Sequence, residues 1–435
     1  MSDLSLSCDR PLSGEIRLPG DKSLSHRAAL FAALAEGESV IDRFLVSGVT
    51  RAMLDALTAF QVPWRLAGER LTVTGNGLHG FRSPAAPINC GNSATTIRML
   101  AGALAAAGTP CVLDGSDGLR RRPMDRITEP LAAMRVPITA TAACAPLTLA
   151  TRPSDAPLRA IDYTLPVASA QVKSCLILAA LAADGVSTFR EPGPSRDHTE
   201  RMLAAMGADI RSGTDGAVTV APLTRPLAPL NITLPGDISS AAFLLVAAAI
   251  VPGSSIQIRN VGLNPTRTGI LDMLSEMGAE IKVENMRKVA GEPVGDILLS
   301  SSGLNAVKVA GDTVVRMIDE FPAFAVAACF AEGITEVRDA TELRYKETDR
   351  IAVLCRELRK LGVTLDERND GFTIEGGTLN GGTCDASGDH RLAMSLALAG
   401  LRSPEPVTVE NSQILNESFP GFVAAMALLG AGSRN

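Results

Sequence analysis

The sequence predicts an α/β protein of two inside-out domains, each made of three β-α-β-α-β-β units with buried parallel helices at the centre. Three observations predict this. First, a short polar patch opens a very apolar helix six times: at Gly20-Asp21-Lys22-Ser23, Gly91-Asn92-Ser93, Ala168-Ser169-Ala170-Gln171, Gly236-Asp237-Ile238-Ser239, Asp319-Glu320-Phe321-Pro322 and Asp389-His390-Arg391. Second, short strands and an amphipathic helix follow the apolar one. Third, Pro226, Pro229 and Asn231 punctuate the chain with three units on either side.

The patches recur roughly 65 to 85 residues apart, which is longer than common solenoid periods. Segments such as Ala94–Ala107 and Ser174–Ala183 have almost no charged face, and a helix apolar all round is a buried one. Strands follow at Ser39–Arg43 and Ser254–Asn260. The second helices are expected over Arg51–Phe60, Met124–Met134, Arg196–Met206, Thr266–Met277 and Glu347–Leu361. In the last of these Ile351, Leu354, Leu358 and Leu361 alternate at helical spacing with Arg356, Glu357 and Lys360. Closing strands are expected at Arg70–Thr74, Ala217–Val220 and Gly371–Glu375. Leu18-Pro19-Gly20-Asp21 and Leu234-Pro235-Gly236-Asp237 are nearly the same words, so the strand before Gly20 is assigned to the C-terminal half. The expected domains are 1–20 plus 231–435, and 21–230.

A chain of 435 residues exceeds one ordinary core, and 46% apolar residues suffice for two. Aromatic residues are 3% and the net charge is −6, which argues against base stacking, a nucleic-acid surface or an anionic membrane as partner. The eight cysteines form no CxxC pair, and Cys175 and Cys329 fall inside apolar helices as reduced thiols. Four histidines without metal spacing speak against structural zinc. Met1–Arg10 has no apolar signal region and Ala241–Val251 is too short to span a bilayer, so the expectation is a cytoplasmic, soluble monomer.

Polar residues at helix N-termini sit where unsatisfied N–H groups attract anions. Lys22 and Arg27 share a turn with Ser23 and Ser25 ahead of an apolar helix. Lys22-Ser23 lacks the Gly-x-x-x-x-Gly of a P-loop, which excludes nucleoside triphosphate binding. Gly75-Asn76-Gly77-Leu78-His79-Gly80 matches GxGxxG but leads into Phe81-Arg82-Ser83-Pro84 rather than a helix, so it is a turn. Arg120-Arg121-Arg122 beside Pro123 suits anion capture. Lys346 and Arg350, four apart, are expected on one helical face beside Glu347. One exposed helix end contributes roughly 0.3–1 kcal/mol to anion binding. Micromolar affinity needs about 8 kcal/mol, so the lysine and arginine side chains must supply much of the rest.

In order along the whole chain stand Leu-Pro-Gly-Asp-Lys-Ser-x-Ser-His-Arg, Gly-Asn-Ser-Ala-Thr-Thr-Ile-Arg, Arg-Arg-Pro-Met, Ser-Ala-Gln-Val-Lys-Ser, Arg-Asp-His-Thr-Glu, Asp-Glu-Phe-Pro, Tyr-Lys-Glu-Thr-Asp-Arg and Asp-His-Arg-Leu-Ala-Met. Together they resemble the EPSP synthase (3-phosphoshikimate 1-carboxyvinyltransferase) family, in its bacterial class that is less sensitive to glyphosate. The resemblance implies the enolpyruvyl transferase fold and transfer of enolpyruvate from phosphoenolpyruvate to shikimate 3-phosphate, with no metal or organic cofactor. It implies that Ser23 and Arg27 hold the shikimate ring and carboxylate. Ser169, Ala170, Gln171 and Arg196 would surround the shikimate phosphate, and Lys22 would bridge both substrates. Arg122 would take the phosphate of phosphoenolpyruvate, Arg350 and Arg391 its carboxylate, with Asn92 and Ala94 lining that pocket. Glu347 is the candidate proton donor, and Asp319 or Lys346 the group that relieves the attacking hydroxyl of its proton.

Two departures stand out. Ala94 replaces the glycine of glyphosate-sensitive members, and Glu417-Ser418-Phe419-Pro420 replaces a lysine-bearing motif, so Glu417 receives no role. A rival is UDP-N-acetylglucosamine enolpyruvyl transferase, whose members often carry a reactive cysteine before the Arg-Pro. Asp114–Arg122 has none, Cys111 lies in the preceding strand, and Asp117 is the residue that keeps this rival open. A rival of another class is a non-enzymatic repeat scaffold, which would leave the cations at the helix N-termini unexplained.

Overall fold

The six polar patches become six helix N-termini. A computed structural model describes residues 3–153, 156–213 and 216–433, and in it the apolar helices run Lys22–Leu34, Ala94–Ala107, Ala170–Ala180, Ile238–Ile250, Phe321–Ala328 and His390–Ala399. Side chains of Asp21, Ser93, Ser169, Asp237 and Asp389 cap five of them by accepting first-turn N–H groups. Such a cap stabilises a helix by about 1 kcal/mol. The fifth helix has Glu320 at this position without a side-chain cap, and Pro322 follows, where a missing N–H costs nothing. Every residue of Ile238–Ile250, Phe321–Ala328 and His390–Ala399 is buried.

Around these helices lie five four-stranded sheets of one design. The first two strands run parallel, and an antiparallel hairpin adds to the second, as in Ile88–Asn89, Cys111–Asp114, Cys144–Leu149 and Ile138–Thr141. The parallel step needs a crossover, which the Ala94, Ala170, Phe321 and His390 helices supply, whereas the Lys22 and Ile238 helices each join strands of two different sheets. The sixth copy stops early: Gly382–Asp385 pairs in parallel with Val407–Glu410, and no hairpin joins them. Instead Leu4 bridges to Val409, and Leu6–Ser7 pairs with Gly432–Ser433.

The chain forms two units, each with its own apolar core. One comprises 1–19, 235–287 and 293–435, and the other 20–234 with 288–292. The strand Ser13–Arg17 runs parallel to Ser255–Gly262 in the first unit. Asn231–Thr233, expected in that unit, instead runs parallel to Val40–Asp42 in the second. The boundary therefore falls at 234–235 rather than 230, because a strand pairs after the proline stretch before the chain leaves.

Glycine permits the closest approaches. A Cβ on Gly20 would lie 1.8 Å from the Arg43 carbonyl oxygen, and one on Gly102 would lie 2.2 Å from that of Cys175, which fixes the packing of the Ala94 and Ala170 helices. Gly75 and Asn76 end the strand Arg70–Asn76, a turn at Leu78-His79 follows Gly77 at φ +81°, and no helix opens there. The amphipathic helices start later than their sequence pattern, at Asp125, His198, Gly269 and Arg350, except Gly48–Ala59, which starts earlier. All eight cysteines are free thiols. Among the described residues no helix is long and apolar enough to cross a membrane.

Candidate active site

Each unit carries its own cluster of chemically active side chains at its helix N-termini. In the unit 20–234 the Lys22 helix begins with half-buried Lys22, and Ser23 and Arg27 are buried behind it. Arg27 donates from Nε to Thr199 Oγ1 and from Nη2 to Ser174 Oγ, both at 2.8 Å, and from Nη1 to the Ser23 carbonyl at 3.3 Å. Burial pushes its guanidinium down to about 10, partly offset by Glu200 and Asp21, so it stays charged at neutral pH.

A second buried cation stands next to it. Lys173 Nζ lies 2.7 Å from Glu191 and 2.8 Å from Glu200, and all three side chains are nearly inaccessible. Burial alone would depress Lys173, but the charges of Glu200 and Glu191 outweigh it and hold the ammonium above its ordinary value. Burial pushes Glu200 up, with Lys173 opposing. The sequence motifs contain Lys173, Thr199 and Glu200 but assign them nothing, and Glu191 lies outside them. The available signal was a lysine inside an otherwise apolar helix, which demands a carboxylate.

The two further polar patches of this unit touch. Gln171 Nε2 donates to Thr95 Oγ1 at 2.8 Å, tying the start of the Ala170 helix to the start of the Ala94 helix. Ser116 Oγ donates to Asn92 Oδ1 at 3.1 Å. Of the three consecutive arginines, Arg120 pairs with Asp114 at the surface, Arg121 is exposed and Arg122 is half-buried. Arg196 is half-buried just ahead of the helix His198–Ala205, not within it as expected. Ala94 is the first residue of its helix and partly buried. His26 Nδ1 lies 2.8 Å from the Lys22 carbonyl, and Nε2 lies 3.2 Å from that of Val49 and 3.4 Å from Ser93 Oγ. Burial pushes this imidazole down to about 4, with Lys22 and Arg27 adding to the depression.

In the other unit three carboxylates and three cations converge. Arg350 is buried and contacts Glu347 Oε2 at 2.6 Å, Asp389 Oδ2 at 2.8 Å and Asp319 Oδ1 at 3.4 Å. Asp319 also faces Arg391 at 3.6 Å and Lys346 at 3.9 Å. Although burial opposes its charge, Asp389, Glu347 and Asp319 together hold Arg350 above arginine's ordinary value. Asp389 additionally caps its helix through the Arg391 N–H at 2.8 Å. The expected helical face of Lys346 and Arg350 is corrected here. The helix begins at Arg350, Lys346 has extended backbone with φ −82° and ψ −152°, and the two meet through Asp319 rather than by spacing. Glu417 ends the 3₁₀ turn Ser412–Glu417.

The fourth patch is also a polar cluster. Buried Arg267 donates to Asp237 Oδ1 and Ser239 Oγ, each at 2.8 Å, and Ser239 bonds Glu320. A guanidinium from the chain itself thus meets the start of the Ile238 helix.

The comparisons with known proteins bear on this geometry. The family model described as EPSP synthase (3-phosphoshikimate 1-carboxyvinyltransferase) matches residues 7–426. A 3-phosphoshikimate 1-carboxyvinyltransferase of Geobacter sulfurreducens is 48% identical over 429 residues, 98% of this chain and 99% of that protein. The chain belongs to the EPSP synthase family. Another relative, the enzyme of the same name from Pelobacter propionicus, is 45% identical with both chains covered completely. A solved structure of EPSP synthase from Acinetobacter baumannii superposes with a TM-score of 0.88 at 38% identity, again over all of both chains. An EPSP synthase-family chain is a transferase, which removes the scaffold alternative. The UDP-N-acetylglucosamine alternative gains nothing either. Burial pushes the Cys111 thiol up to about 12, far from a reactive thiolate, and the Asp117 side chain is exposed beside Arg120.

Proposed function

We propose that the protein transfers the enolpyruvyl group of phosphoenolpyruvate to the 5-hydroxyl of shikimate 3-phosphate and releases inorganic phosphate. The observation that carries this is the full-length likeness to enzymes of that name, at 48% and 45% identity.

Ser23 and Arg27 hold the shikimate ring and carboxylate, while Ser169, Ala170, Gln171 and Arg196 surround its phosphate. Lys22 contacts both substrates. Arg122 binds the phosphate of phosphoenolpyruvate beside Asn92 and Ala94, and Arg350 and Arg391 bind its carboxylate. The charges support a specific sequence of events. Lys346, Arg350 and Arg391 balance Asp319, Glu347 and Asp389 one for one. An entering carboxylate therefore competes with an existing one. Glu347 is half-buried, whereas Asp389 is fully buried and also caps a helix, so Glu347 is the one displaced.

Released from Arg350, Glu347 is suited to carry a proton to the methylene carbon of phosphoenolpyruvate. Asp319 or Lys346 takes the proton from the attacking 5-hydroxyl as its oxygen bonds C2. Collapse of the tetrahedral adduct breaks the C2–O bond to phosphate while the Glu347 carboxylate takes a proton back from the new methyl group, which restores the C=C bond, and the arginines stabilise the charge that develops on the leaving group. A methyl on Ala94, at the first position of its helix, crowds the longer glyphosate and spares phosphoenolpyruvate, which supports membership of the less sensitive class.

The test is phosphate release from phosphoenolpyruvate with shikimate 3-phosphate, run beside UDP-N-acetylglucosamine as acceptor. Release with the first alone is the expected result. Release only with the second, or with neither, overturns the assignment.

A further inference from the structure

Glu191 touches both loops carrying the proposed phosphate ligands. It stands just past the strand Ser187–Arg190, and its side chain is 6% exposed. Oε1 accepts the backbone N–H of Ser169 at 2.9 Å, at the residue that caps the Ala170 helix. Oε2 accepts the Ser195 hydroxyl at 2.7 Å, on the residue immediately before Arg196. The same oxygen lies 2.7 Å from Lys173 Nζ. A buried anion behind an anion site would repel the ligand if left alone, and Lys173, which also pairs with Glu200, offsets part of that charge.

We infer that Glu191 is a positioning residue that sets recognition of the acceptor's phosphate group. It does so by fixing Ser169 and the Ser195–Arg196 segment in one register. This rests on the proposed placement of the shikimate phosphate at Ser169, Gln171 and Arg196. A carboxylate does this where an amide would not, because it accepts at both oxygens while neutralising Lys173. Glu191→Gln keeps the volume but places an NH2 against an N–H, a hydroxyl or an ammonium, so at least one contact becomes a donor facing a donor.

The experiment measures dissociation constants of the full chain for shikimate 3-phosphate and for shikimate, which lacks the phosphate. Steady-state KM for phosphoenolpyruvate and the thermal transition are measured alongside. In Glu191→Gln, affinity for shikimate 3-phosphate is expected to fall about ten- to hundredfold, the range for hydrogen bonds to charged groups, with shikimate and phosphoenolpyruvate little changed. Ser195→Ala removes one contact and leaves the ion pair, so it is expected to give a smaller loss of the same selectivity. It also serves as the test if Glu191→Gln does not fold. Equal weakening of shikimate and its phosphate in a folded variant overturns the inference, as does unchanged discrimination. Arg196→Gln separates the two levels. If it abolishes the discrimination and the Glu191 and Ser195 variants do not, only the positioning role fails. If it too leaves discrimination intact, the placement of the phosphate fails.

Discussion

Arg350 Nη2 and Glu347 Oε2 lie 2.6 Å apart, so the proposed carboxylate-binding arginine and the proposed proton donor occupy each other before any substrate arrives. Two roles that look independent in sequence are therefore coupled. Glu347→Gln is expected to separate them. An amide cannot deliver the proton, so kcat should fall by about 10²- to 10⁴-fold, while the dissociation constant for phosphoenolpyruvate should hold steady or decrease as Arg350 loses its competitor. Weakened binding with kcat preserved would contradict this. Rapid-quench turnover and equilibrium binding measure the two quantities.

Buried Arg27 depends on two hydroxyls. Thr199→Val keeps the shape and leaves Arg27 Nε facing a methyl group instead of an acceptor at 2.8 Å. Leaving a buried donor unsatisfied costs about 1–3 kcal/mol. Urea unfolding should show a lower midpoint with an unchanged slope, and a midpoint equal to that of the parent would mean that Arg27 finds another partner.

His26 predicts a pH dependence of stability. In the unfolded chain its imidazole titrates near the ordinary value of 6.5, and in the folded chain it does so at about 4. Between these values the unfolded state binds more protons, so stability rises with pH across the window and is flat above it. The full effect is about 3 kcal/mol. Chemical denaturation from pH 4 to 7 should give a shallower slope in His26→Asn than in the parent. Parallel profiles would assign the acid sensitivity to other groups.

Ala94→Gly should increase sensitivity to glyphosate, seen as a lower inhibition constant in competition with phosphoenolpyruvate, with KM for phosphoenolpyruvate changed far less. An inhibition constant that is already low and does not drop would show that the methyl is not the barrier.

Much of the framework was legible because its signals are local. A capping side chain, a polar turn and an all-apolar run lie next to each other in sequence, so all six central helices could be located from their patches. The clusters were less legible because they are assembled from distant segments. Lys173 lies in one helix, Glu191 after a strand and Glu200 in a second helix, and no spacing rule joins them. Lys346 and Arg350 offered a misleading local signal, since Asp349 caps the helix and excludes Lys346 from it. The strand at Asn231–Thr233 went to the other unit for a similar reason. The likeness of Leu234-Pro235-Gly236-Asp237, which follow it, to Leu18-Pro19-Gly20-Asp21 is a likeness of strand-to-helix connections, and a connection does not say which sheet a strand joins. The fourth patch, Gly236-Asp237-Ile238-Ser239, has no cation of its own in sequence. Arg267, thirty residues downstream of Asp237, gives it an internal cation instead.

The routing of the first nineteen residues makes the two units unequal as pieces of chain. Residues 20–234 hold every strand of their three sheets in one continuous stretch. Residues 235–435 leave Ser255–Gly262 without its parallel neighbour Ser13–Arg17, and Gly432–Ser433 without Leu6–Ser7. The second piece is thus a receptor for a strand that the chain delivers from its far end. Because Leu6 stands opposite Ser433, a rearranged chain that starts at 235, passes through 433 and turns back into residues 6–19 would make that unit continuous as well.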